Sequence, residues 1–92
     1  MIRKVEKSSR FKKNFKRFAH DSVFCAEFAA LLELLAADAP LNPKYCDHAL
    51  HNDWEGCRDC HVRPGVVLIC QKTADGLVLH LIRIGNHAEV FG

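Results

Sequence analysis

The residues able to carry chemistry crowd into the second half of the chain. Asp47-His48 is followed by Trp54-Glu55-Gly56, then by Cys57-Arg58-Asp59-Cys60-His61-Val62. Arg83-Ile84-Gly85-Asn86-His87 comes next, with Phe91-Gly92 behind it. Three chemistries can be written on these residues. Cys57-x-x-Cys60-His61 spells the c-type haem attachment string. Cys46, His48, Cys57, Cys60 and His61 could between them offer four ligands to zinc. The histidines, which titrate nearer neutrality than other side chains, could instead move protons to and from a substrate, with an arginine holding an anion beside them.

The elements that must position these groups weigh on the choice. Residues 57–62 read as a short extended segment. Alternation there sends Cys57, Asp59 and His61 to one face and Arg58, Cys60 and Val62 to the other, so the two cysteines do not converge on one ion. The spacing C-x-H-x8-C-x2-C is also not that of a common zinc module. Haem wants a second axial ligand, often Met, and the sole methionine is Met1. A haem domain of this size is mostly helical, whereas the string here runs into strand-like sequence. Cys25 and Cys70 lie in apolar segments and read as small buried residues.

Further out, residues 2–7 read as an edge strand and Ser8 or Ser9 as a helix N-cap. Phe11, Phe15 and Phe18 recur at helical spacing as one apolar stripe, with the basic residues mostly on the other face. That helix is expected to end near His20, where a cation complements the dipole. Asp21 or Ser22 caps a second helix with Phe24, Phe28, Leu31, Leu32 and Leu35 on its buried face. Pro40 and Pro43 end it and open a loop. Val66–Gln71, bounded by Pro64-Gly65, and residues 77–84 are apolar runs joined through the hairpin signal Asp75-Gly76. After the turn at Gly85-Asn86, Glu89-Val90-Phe91 reads as a short last strand. The expected class is α+β: two N-terminal helices packed on one face of a small antiparallel sheet.

A chain of 92 residues and 10.4 kDa has room for one domain, spanning 1–92. Its 49% apolar and 26% charged residues suit a packed core and exclude a disordered tail. Membrane-spanning, collagenous, coiled-coil and low-complexity classes are excluded too, since no apolar run approaches the ~18–20 residues of a span. The basic N-terminus has no apolar run behind it, so no secretory signal is expected. The five cysteines then read as reduced thiols in a cytoplasm. Net charge is only +2, but residues 1–17 carry eight basic residues against one acid while the remainder is acidic. Such a division suits a basic face that meets polyanions, or a solvated helix face.

The segments DHAL, WEGCRDCHV, VVLIC and IRIGNHAEVF resemble the YafQ family of bacterial type II toxins, within the RelE/ParE superfamily. The helical half fits more loosely, through FKKNFKRF. The family's pattern needs the Arg-Asp and the His of CRDCH, and leaves its two cysteines incidental. The resemblance implies a small twisted antiparallel sheet with two N-terminal helices. It implies a ribosome-dependent endoribonuclease that enters the ribosomal A site, contacts ribosomal RNA and cuts mRNA, and that a cognate antitoxin silences. Cleavage of this kind uses the 2′-OH as nucleophile on its neighbouring phosphate and calls for no metal or other cofactor. By analogy, His48 is the candidate base and His87 the candidate acid. His61 supports the base or holds phosphate, Arg83 stabilises the transition-state charge, and Asp59 orients Arg or His. Phe91 would stack on a splayed base, with Lys12, Lys13, Lys16 and Arg17 as RNA contacts. In one departure, Gly65-Val66 stands where the family's best-known member has Asp-Trp. The rival readings are a toxin of the same fold without RNase activity, binding antitoxin or poisoning gyrase, and a small zinc-binding module.

Overall fold

Ser8 and Asp21 start the two main helices by the same physics: each accepts an orphan amide of the first turn. The Phe11 N–H donates to Ser8 Oγ at 2.9 Å, and the Phe24 N–H donates to Asp21 Oδ1, also at 2.9 Å. In the computed structural model, which describes residues 2–91, the chain runs β1 (Lys4–Lys7), α1 (Ser9–Phe15) and α2 (Ser22–Ala36). There follow β2 (His48–Ala49), β3 (Arg58–Arg63), β4 (Val66–Lys72), β5 (Val78–Gly85) and α3 (His87–Phe91). One sheet takes the strands in the order β1-β5-β4-β3-β2. The α+β class, the caps and the buried stripe of α2 stand as expected.

Burial of the helices' aromatic stripe against the sheet supplies the main core. Phe11, Phe24, Phe28, Leu31 and Leu35 meet Cys60, Val62, Leu68, Leu79, Leu81 and Ile84. Each large apolar side chain buried here contributes ~1.5–3 kcal/mol. A smaller cluster of Cys57, Val67, Ile69 and Val90 lies on the sheet's other face. Gly65 turns β3 into β4 at φ +85°, a left-handed position that favours glycine.

Three expectations are corrected. First, α1 ends at Phe15, earlier than the approach to His20. The chain continues in turns, with the Phe18 N–H on the Phe15 carbonyl and the Asp21 N–H on the Phe18 carbonyl. Phe18 still packs on Phe24, with ring centroids 4.4 Å apart. Second, β1 pairs with β5 in parallel, Lys4 opposite Val78 and Lys7 opposite Leu81, so the sheet is antiparallel only from β2 to β5. Third, Glu89-Val90-Phe91 is helix, part of α3. The Glu89 N–H donates to Asn86 Oδ1 at 2.8 Å and the Asn86 N–H donates to Glu89 Oε1 at 2.9 Å. That reciprocal cap outweighs the strand propensity of Val-Phe.

Candidate active site on the second sheet face

Antiparallel pairing lines up one rung across four strands: His48 opposite Asp59, Asp59 opposite Ile69, Ile69 opposite Arg83. Directly paired residues share a face, so this rung sits opposite the helices. A parallel rung runs His61–Val67–Gly85 and leads into α3. The sheet thus brings together, on one face, groups that lie far apart in the sequence.

Asp59 is the centre of the rung, with a side chain only 4% exposed. Its Oδ2 lies 3.6 Å from His48 Nε2 and its Oδ1 lies 3.7 Å from His61 Nε2. Oδ1 is buried and has no hydrogen-bond partner among the described residues. Burial pushes the Asp59 carboxyl up from its usual range, while the charges of His48, His61 and His87 pull against that shift. The result is a poorly solvated carboxyl whose natural counter-charge is an imidazolium.

The backbone fixes the tautomer of His48. Its Nδ1 lies 2.8 Å from the Cys46 carbonyl oxygen, which can only accept, so Nδ1 carries the hydrogen. In the neutral ring Nε2 is then the lone-pair nitrogen, and it is the one beside Asp59. Cys46 is left-handed, at φ 49°, which turns its carbonyl toward the ring. The short strand β2 is held to β3 by the Arg58 guanidinium, which donates to both oxygens of Asp47 at 2.8 and 3.0 Å. Burial works to raise the Asp47 carboxyl, and the bonds and charge of Arg58 more than offset it, so the group is held below its usual range.

A bulge shapes the other side. Between Ile69 and Cys70 the register with β5 slips by one residue, from Arg83 to Leu81, so Ile82 and Arg83 together face Ile69. The Arg83 guanidinium lies over Trp54 at 5.6 Å. Trp54 meets Phe91 edge-on, with centroids 6.0 Å apart at 88°, and Phe91 touches His87 at 4.7 Å. A continuous path His87–Phe91–Trp54–Arg83 therefore borders the Asp59 rung. By residue type alone, Trp54 reads equally as a core anchor or an RNA platform. Its contacts make it the shelf for both Phe91 and Arg83. No pattern within residues 50–57 shows this, because both partners lie far along the chain.

The basic candidates divide. Lys12, Lys13 and Lys16 are exposed at α1, whose apolar stripe packs in the helical layer across the sheet from the rung. Arg17 instead pairs with both carboxylate oxygens of Glu89. Cys57 and Cys60 separate as alternation requires: Cys57 joins the second cluster and Cys60 the main core. The hydrogen bond with Cys70, together with burial, pushes the Cys60 thiol up, which makes it a poor metal ligand. Among the described residues no three His, Cys, Asp or Glu side chains gather so as to hold a metal. His51 lies near Glu55 and His80 near Glu6, both away from the rung.

Residues 3–92 match the family described as "Bacterial toxin of type II toxin-antitoxin system, YafQ". The mRNA interferase toxin YafQ of Escherichia coli strain B is 37% identical over 91 residues, covering 98% of this chain and 97% of that protein. The structure of the E. coli DinJ-YafQ complex superposes with a TM-score of 0.81 at 35% identity, over 98% of this chain and 99% of the matched one. That of a metal-bound toxin from Helicobacter pylori gives 0.87 at 32% identity, over 99% and 100%.

Proposed function

The chain belongs to the YafQ family of bacterial toxins of type II toxin–antitoxin systems, and from that premise we propose how it works. It is an mRNA interferase, an endoribonuclease whose activity a cognate antitoxin restrains. The message is cut while it lies in the A site of a translating ribosome, with ribosomal RNA as the surrounding polyanion. The observation that carries this reading is the buried Asp59 set between the Nε2 atoms of His48 and His61, on the same rung as Arg83.

In the neutral ring, His48 Nε2 takes the proton of the 2′-OH as that oxygen attacks the adjacent phosphorus. The imidazolium so formed faces Asp59, which balances its charge. His61, on the other oxygen of Asp59, supports the base or holds the phosphate. Arg83, braced on Trp54, neutralises the charge that builds on the phosphoryl oxygens. His87 gives its proton to the 5′-oxygen as the P–O bond breaks. The products are a 2′,3′-cyclic phosphate and a 5′-hydroxyl, so atoms and protons balance without a metal. Phe91 offers a half-buried ring on which a splayed base can stack. The turn that carries an Asp in the family's best-known member is Pro64-Gly65 here, so the carboxylate share of the work falls to Asp59.

Induced expression in a bacterium lacking the antitoxin tests this, with wild type compared to His87→Ala and message 5′ ends mapped. The expected result is growth arrest with in-frame cuts for wild type and neither for the variant, a loss of ~10²–10⁴ in rate. Arrest by both proteins without cuts would overturn the reading.

A further inference from the structure

Glu89 makes contacts in two directions. Toward its own helix it completes the reciprocal cap with Asn86. Away from it, both carboxylate oxygens take the guanidinium of Arg17, just past the end of α1. That guanidinium also lies over the Phe18 ring at 4.9 Å, so it is set in place from behind. Gly85 leaves the room for this: a Cβ there would stand 3.3 Å from Glu89 Oε1 and 3.5 Å from Arg17 Nη2. Among the described residues, Arg17 is the one side chain from outside residues 86–91 that hydrogen-bonds or ion-pairs with α3.

A helix of five residues does not hold itself. It needs its cap, the burial of Val90 and whatever else ties it down. The bonds of Arg17 also hold the Glu89 carboxyl below its usual range, in keeping with an ionised pair at neutral pH.

We infer that Arg17 and Glu89 are positioning residues for the cleavage reaction, forming a latch that joins α1 to α3 and so sets His87 and Phe91 over the sheet face. On this inference, which rests on the reaction described above, Arg17 is not a phosphate contact, although its charge and place in a basic helix suggest one.

Charge reversal separates the two roles. Arg17→Glu and Glu89→Lys are made singly and together in the full-length protein, purified through its antitoxin complex. The latch predicts that each single variant speeds hydrogen exchange of the Val90 amide by about three- to fivefold, while the Leu68 amide in β4 keeps its rate. Each also lowers kcat on a ribosome-bound message and leaves KM unchanged. The double variant, with charges exchanged, recovers in both readouts the share that the ion pair carries, while the Asn86 N–H bond to Glu89 stays lost. If Arg17 held phosphate, Arg17→Glu would raise KM and leave Val90 exchange alone, and the inference fails. It fails as well if the losses of the two single variants simply add in the double. A wild-type protein that cuts no message, yet shows the coupled exchange, removes the reaction and keeps the latch, so the two failures are distinguishable.

Discussion

At Asp59 the proposed reaction and the stability of the fold pull in opposite directions. The Asp59 carboxyl is buried, has one oxygen without a hydrogen-bond partner among the described residues, and titrates above its usual range because of burial. A raised native value means the folded chain binds this proton more tightly than the unfolded one. Its contribution to stability is fully present below the unfolded value of ~3.9 and is lost as pH rises through the native value. At neutral pH the ionised group therefore costs stability. Asp59→Asn should raise stability by about 1 kcal/mol at pH 7–8, and urea titrations should show that gain vanish in acid. The same variant should lose ~10²-fold or more in kcat. Alternation in residues 57–62 is enough to place Asp59 and His61 on one face. The role of Trp54 and the partner of Arg17 are not legible in the sequence, since each depends on a residue far along the chain.

At the scale of elements, two small pieces carry the proposed acid and base: α3 holds His87, and β2 holds His48. Both are too short to be stable alone and depend on a few polar contacts. Asn86→Ala removes the cap of α3 and should cost about 1 kcal/mol locally, read as lower kcat and faster Val90 exchange with the core unchanged. Asp47→Asn removes the charged half of the β2–β3 clamp. Because Asp47 titrates below its usual range in the fold, its contribution is present above the unfolded value and is lost as pH falls through the native one. After allowance for solvent screening, the variant should be about 1 kcal/mol less stable at neutral pH, and the gap should close in acid. Local signals read best here. Ser8 and Asp21 are visible as caps because a cap acts over three residues. Propensity alone makes Glu-Val-Phe a strand, although Asn86 and Glu89 already have capping-box spacing, and the cap decides the outcome. The parallel pairing of β1 leaves no local trace at all.

Across the whole molecule, the charge division becomes a separation of faces. Lys12, Lys13 and Lys16 are exposed at the helical layer, while the proposed catalytic groups of the rung share the opposite face. Replacing the three lysines by glutamine should lower the slope of log affinity for ribosomes against log salt by about 2, at ~0.7 for each phosphate no longer neutralised. The cleavage rate at saturating ribosome should stay unchanged. Leu31→Ala, at the centre of the core, should cost about 2–5 kcal/mol by chemical denaturation, on the order of what a domain this small can spare. The strand order also sets a sequence of events in time. β1 is made well before its partner in the sheet, β5. Until β5 emerges there is no strand for β1, no floor for α1 and no Arg83. A nascent chain short of that point cannot close its sheet, and the toxin fold waits on the synthesis of β5.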